Sequence, residues 1–202
     1  KKITYVDFSY YKKRKRRSDN MTRTRNLVAQ MIECNYDYNN HKKHTFLTLT
    51  FAKNVTNIKQ ANYEFKKFIQ RLNYQYNIQS KYVAVIEFQK RKAIHYHIVF
   101  FNIPFIPKEI VENKLWGNGF TRIEQPRDVH DLSRYVSKYM TKDLIDRRLV
   151  GQKAYFTSKH IKRPIHSYNP EVINLFKNYD NIEALETYEN TSYKKIKYAF
   201  NN

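Results

Sequence analysis

The first residues with the type and spacing to do chemistry are His95 and His97, which flank Tyr96 in the run Ala93-Ile-His-Tyr-His-Ile-Val-Phe-Phe101. The run otherwise reads as a buried strand. Residues two apart in a strand share a face, so the imidazoles emerge together while Tyr96, Ile98 and Phe100 point to the opposite, core-forming face. A hairpin centred near Arg91 sets Glu87 across from His95 on the histidine side, with Ile86 and Phe88 on the other. Two imidazoles and one carboxylate can hold a divalent metal and leave positions open for a phosphate oxygen. The ligand types alone do not choose Mg²⁺ or Mn²⁺ over Zn²⁺ or Fe²⁺. The competing reading leaves both histidines on a solvated strand face, and Glu87 at the matching register weakens it.

A second group lies in Arg134-Tyr-Val-Ser-Lys-Tyr-Met-Thr-Lys142, which doubles a Tyr-x-x-Lys unit: Tyr135 with Lys138, and Tyr139 with Lys142. On a helix, tyrosines four apart are neighbours, roughly 6 Å from one another. A tyrosine hydroxyl can attack a phosphodiester and keep its energy in a phosphotyrosine bond. With an ordinary pKa near 10 the phenol needs a metal to polarise the phosphate and ammonium groups to offset developing charge, and Lys138 and Lys142 are placed for that. Against this, both tyrosines border the apolar stripe of Leu132, Val136 and Met140 and could simply pack in the core.

Several elements must position these residues. Phe46-Leu-Thr-Leu-Thr-Phe51 alternates strictly and reads as a strand, with Leu47, Leu49 and Phe51 on one face and Phe46, Thr48 and Thr50 on the other. After Thr56 as N-cap, Ile58, Ala61, Phe65, Phe68 and Leu72 recur at helical spacing, an amphipathic helix lying on a sheet. Tyr82 to Phe88 and Ile94 to Phe101 form a hairpin through Gln89-Lys-Arg-Lys92. Pro107 starts a short helix ending near Trp116, Gly117-Asn-Gly119 makes a turn, and Phe120 to Glu124 is a further strand. Asp128 caps the helix that carries the tyrosines. This order predicts an α+β fold with a mainly antiparallel sheet carrying helices. The expected organisation is a basic arm or helix over 1–45, a core over 46–165, and an extension over 166–202.

The formal charge of +20 points to a polyanionic partner. Lys12, Lys13, Arg14, Lys15, Arg16 and Arg17, followed by Arg23 and Arg25, are the candidate DNA-contacting residues of the N-terminal arm. Cys34 is the lone cysteine, which excludes an internal disulfide and a thiolate-cluster zinc site; His41 and His44 after it read as ordinary loop residues. With three glycines, none of them in a phosphate-binding loop, any ATP-driven step belongs to another protein. No apolar run reaches 18 residues and no signal peptide is visible, so the expectation is a soluble intracellular chain without membrane association.

Taken together, Phe46-Leu-Thr-Leu-Thr50, His95-Tyr-His97 and Tyr135-Val-Ser-Lys-Tyr-Met-Thr-Lys142 resemble, in that order, the motifs of the HUH endonucleases, specifically rolling-circle replication initiators of phages and plasmids. Trp116-Gly-Asn-Gly-Phe120 and Tyr155-Phe-Thr-Ser-Lys-His-Ile-Lys-Arg-Pro164 also look like features of those initiators, so the resemblance spans roughly residues 46 to 164. It implies a central five-stranded antiparallel sheet flanked by helices, and His95 and His97 as Mg²⁺ or Mn²⁺ ligands with an acidic or polar third ligand, a place Glu87 fits. It also implies cleavage of single-stranded or hairpin origin DNA leaving a 5′-phosphotyrosine, with Tyr139 the first nucleophile and Tyr135 the second. The expected setting is the cytoplasm of a bacterial host, with host helicase and replication proteins as partners.

Rival readings within the resemblance are a two-tyrosine transposase, whose usual cysteine-rich region is absent, and a relaxase, whose motif order is reversed. From other classes, a non-catalytic single-stranded nucleic-acid-binding module explains the charge and the 18 tyrosines but not the co-facial Glu87, His95 and His97. A two-histidine, one-carboxylate iron oxygenase fits the ligand set but not the charge or the paired tyrosines.

Overall fold

The structure, a computed structural model, describes residues 13–37, 44–89, 91–125, 132, 133, 135, 136, 139, 140, 149, 152–164, 182–189 and 194–200, with backbone alone for 13–21, 182–189 and 194–200. The chain divides into two compact units, Lys1–Pro164 and Ile165–Asn202. In the second, β6 (Ile182–Glu189) and β7 (Lys194–Phe200) pair antiparallel as a hairpin.

The first unit is built on a five-stranded sheet of β1 (Thr45–Thr50), β2 (Tyr82–Phe88), β3 (Ile94–Phe100), β4 (Thr121–Glu124) and β5 (Tyr155–Thr157), in the order β4-β1-β3-β2-β5. Every neighbouring pair is antiparallel. β3 is the central strand and all seven of its residues are buried, which is why it reads as a nearly continuous apolar run broken by the two histidines.

Helix α2 (Ile58–Tyr76) covers one face. Its stripe of Ile58, Ala61, Phe65, Phe68 and Leu72 packs with Leu47, Leu49, Ile86, Phe88, Tyr96, Ile98 and Phe100. Each large apolar side chain buried there contributes about 2 kcal/mol. The N-cap is Asn57 rather than Thr56: its Oδ1 accepts from the backbone N–H groups of Lys59 and Gln60, a geometry the side-chain amide reaches one residue closer to the helix. The helix α3 (Lys108–Ile110) continues into a π-helical turn over Val111–Trp116, which ends at Gly117 in the left-handed conformation (φ 69°).

The other face corrects one expectation, that only the Tyr96 side would form core. Val28, Met31 and Ile32 of α1 (Lys13–Asn35), together with Leu132, Val136 and Met140, pack with Phe46, Val83, Val85, Val99 and Phe101 in a second buried cluster. The basic segment is therefore the leading part of a helix whose far end is core. His44 is a further correction. It is buried, stacks on Tyr36 at 4.2 Å between ring centroids, and its Nε2 meets the backbone of Asp37. It locks the connection between α1 and β1 instead of lying in an open loop.

Candidate metal and tyrosine site

The hairpin register sets Glu87 directly opposite His95 and Val85 opposite His97. Across the other edge of β3, Thr50 pairs with His95 and Thr48 with His97. The Glu87 carboxylate reaches diagonally to His97, whose Nε2 lies 2.6 Å from Oε2. On the opposite side of the ring, His97 Nδ1 lies 3.1 Å from Thr48 Oγ1. With Nδ1–H donating to the threonine hydroxyl, Nε2 carries the lone pair and faces the carboxylate, the orientation a ligating imidazole takes from its supporting shell.

His95 Nε2 is buried and has no hydrogen-bond partner among the described residues. An unsatisfied buried imidazole nitrogen is destabilising by about 1–3 kcal/mol unless another group meets it. Burial above all, then the neighbouring His97, holds His95 well below its ordinary pKa, at about 4; Glu87 pulls the other way and Arg91 adds to the depression. The ring is therefore neutral at pH 7, as a metal ligand must be.

One ligand atom from each of Glu87, His95 and His97 lies within 4.8 Å of the others. Atoms bound to one cation at about 2.1 Å can be at most about 4.2 Å apart, so small side-chain rotations suffice to close the set. The orphaned nitrogen, the neutral His95 and the charge of the carboxylate all fit a divalent cation. These residues can hold one.

The tyrosines pack against this group. The Tyr139 ring stacks on His97 with centroids 3.6 Å apart and planes 14° from parallel. Tyr135 meets Tyr139 edge-on at 5.1 Å and Phe46 edge-on at 5.4 Å. Tyr135 is 37 % exposed and Tyr139 is half-buried, while Leu132, Val136 and Met140 behind them are fully buried. The helical stripe thus serves the core and leaves the tyrosines on its border, beside the histidines. The Tyr139 phenol is raised well above its ordinary pKa, by burial first, then by Tyr135, Glu87 and Glu124.

Of the remaining predicted residues, Lys12, Lys138 and Lys142 lie outside the described residues, as does the predicted cap Asp128. Lys13, Arg14, Lys15, Arg16 and Arg17 fall on the first turns of α1; Arg23 is exposed and Arg25 partly so, further along the same helix. Sequence reasoning placed Thr48 on the histidine face but gave it no role. Its signal was the strand parity of Phe46-Leu-Thr-Leu-Thr50, which the β1–β3 register turns into a contact. Arg91 was missed as a neighbour of His95; its guanidinium donates to Phe51 O and Gln89 Oε1 at the mouth of the hairpin.

A five-stranded antiparallel sheet flanked by helices, with histidines side by side on its central strand, is an α+β fold consistent with the HUH endonuclease fold. The family model for the replication-associated protein ORF2 family matches residues 44–144, half of the chain, and the chain belongs to that family. The match runs from the residue before β1 through the second Tyr-x-x-Lys unit. Comparison with curated proteins gives no match. Among the described residues no helix is long and apolar enough to cross a membrane.

Proposed function

We propose that this replication-associated protein is a metal-dependent, site-specific nickase and strand transferase that initiates rolling-circle replication. The observation that carries the reading is the stacking of Tyr139 on His97, beside the Glu87, His95 and His97 group. A phenol this strongly disfavoured as phenolate does not attack a phosphodiester unaided. A Mg²⁺ or Mn²⁺ ion held by Glu87, His95 and His97 would polarise the scissile phosphate and offset its developing charge.

Tyr139 Oη attacks the phosphorus of single-stranded or hairpin origin DNA; the Tyr–O–P bond forms, the P–O3′ bond breaks, and the phenol proton leaves as the 3′-hydroxyl is released. Tyr135, more exposed and edge-on to the first nucleophile, serves the second transfer, in which a new 3′-hydroxyl is joined and the protein is freed. Lys138 and Lys142, one helical turn apart, supply positive charge near the phosphate. The basic segment Lys12 to Arg17, with Arg23 and Arg25, grips the DNA backbone. The reaction takes place in the bacterial cytoplasm, and unwinding falls to a host helicase. Unwinding by the purified chain with ATP alone would refute that assignment of labour.

The test is incubation with single-stranded oligonucleotides tiled from the chain's own replicon and Mn²⁺, followed by denaturing gels. Wild type is expected to form a covalent DNA adduct that chelation or His97→Ala abolishes. Tight binding without an adduct on any sequence or metal would leave a single-stranded DNA-binding module instead.

A further inference from the structure

The sheet face that carries the histidines does not end at β1. The β1–β4 register pairs Thr48 with Arg122 and Phe46 with Glu124, and Phe120 O accepts from Thr50 N at 2.9 Å. Residues paired across antiparallel strands share a face, so Arg122 and Glu124 stand on the histidine side, while Thr121 is buried and Ile123 packs against the α2-side core. Strand alternation carries Phe120 to the same side as Arg122. The rows then run Glu87, His95, Thr50, Phe120 and Val85, His97, Thr48, Arg122 across four strands. Phe46, the partner of Glu124, touches both the His97 ring and Tyr135, which ties this edge to the reactive tyrosines.

Phe120 is 64 % exposed although its backbone is held firmly. Gly119 lies so close to β1 that a Cβ there would collide with Ala52 N and Thr50 O. On the other flank, the Glu112 carboxylate accepts from the Thr121 backbone N–H at 2.7 Å. An exposed aromatic on a clamped backbone is preorganised to stack. Arg122, 74 % exposed, has an ion pair with Glu124 at the surface, the kind worth about 0–1 kcal/mol and readily exchanged for another anion. The edge position of β4 leaves room beside both.

We propose that Phe120 and Arg122 form a nucleotide subsite of the nicking face, Phe120 stacking on a base of the single strand and Arg122 meeting a phosphate next to it. Phe120 lies two strands from His95, about 10 Å, a span of about three nucleotides at the stacked repeat of roughly 3.4 Å and fewer when the strand is extended. The subsite positions the strand and takes no part in bond breaking. It rests on the assignment of this face to single-stranded DNA.

The test measures fluorescence anisotropy of labelled single-stranded oligonucleotides from the chain's own replicon bound to the full chain in EDTA, with adduct formation in Mn²⁺ read separately. Phe120→Ala is expected to weaken binding about tenfold, the effect of losing one aromatic stacking partner, with Phe120→Trp retaining wild-type affinity. Arg122→Ala is expected to lower the slope of log affinity against log salt by about 0.7, one phosphate contact on a single strand. Tyr74→Ala removes a 91 % exposed aromatic from α2, on the opposite face of the sheet, and is expected to change neither. Circular dichroism confirms that each variant is folded. Phe120→Ala binding within twofold of wild type, or no weaker than Tyr74→Ala, overturns the subsite, and normal adducts in that case leave the nickase standing. A Phe120 effect without adducts from any oligonucleotide supports the subsite and retires the nickase alone.

Discussion

The two faces of the sheet are fed by the same strands and packed in different ways. On the α2 face, β3 contributes Tyr96, Ile98 and Phe100, which meet Phe65 and Phe68, and Trp116 closes the layer. On the α1 face the sheet offers the smaller Val83, Val85 and Val99 around His95 and His97. Two tyrosines make the contrast sharp. Tyr96 is fully buried, stacks on Phe65 at 4.6 Å and donates its hydroxyl to Asn62 Oδ1 at 2.7 Å. Tyr139 is half-buried and stacks on an imidazole beside a carboxylate. Burial raises both phenols above their ordinary pKa, so a raised pKa does not mark a nucleophile. The surroundings do: Tyr96 has a partner for its hydroxyl and no metal ligand on its face, whereas Tyr139 adjoins the ligand set.

The contrast can be broken most strongly on the α2 side. Phe65→Ala removes a ring that touches Tyr82, Tyr96 and Phe156, and we predict a loss of about 4 kcal/mol in urea unfolding. On the other face, Thr48→Val deletes the hydroxyl that holds His97 Nδ1. Mn²⁺ affinity is expected to fall about 10–100-fold, with little change in folding, as measured by calorimetric titration.

A smaller effect separates the tyrosines. Tyr96→Phe leaves Asn62 without its partner and is expected to destabilise by about 1 kcal/mol, whereas Tyr139→Phe keeps the stacked ring and should change stability by less than about 0.5 kcal/mol. The last difference is one of pH. His95 has a folded-state pKa of about 4, below its ordinary value of 6.5, so the unfolded chain binds the extra proton first. The stability it contributes is fully present above pH 6.5 and is lost as pH falls towards 4. In metal-free buffer, His95→Gln should flatten the stability profile across that window relative to wild type, and parallel profiles would contradict the assignment.

Much of this was legible in the chain. Strand parity alone put His95, His97 and Glu87 on one face, because a β-strand has a period of two and the polar Gln89 to Lys92 connection fixed the hairpin register. Helical spacing likewise gave the buried stripe of α2 and the border position of Tyr135 and Tyr139. What escaped was long-range. Nothing local in Leu27 to Ile32 says that this stretch covers the histidine face, since the basic residues before it mask a short apolar stripe. The diagonal reach of Glu87 to His97, rather than to its direct partner His95, depends on side-chain rotamers and not on register. His44 read as a loop residue because its partners are the backbone of Asp37 and the ring of Tyr36, contacts that no residue pattern announces.

The most direct measurement is the site of covalent attachment, found by trypsin digestion of the DNA adduct and mass spectrometry. Cleavage after Arg134, Lys138 and Lys142 separates the tyrosines into the peptides Tyr135–Lys138 and Tyr139–Lys142. With a linear single-stranded substrate and Mn²⁺, we predict nucleotide mass on Tyr139–Lys142, lost in Tyr139→Phe and in His97→Ala. Attachment to a tyrosine remote from His97, such as Tyr74, or an adduct that survives His97→Ala, would contradict the account.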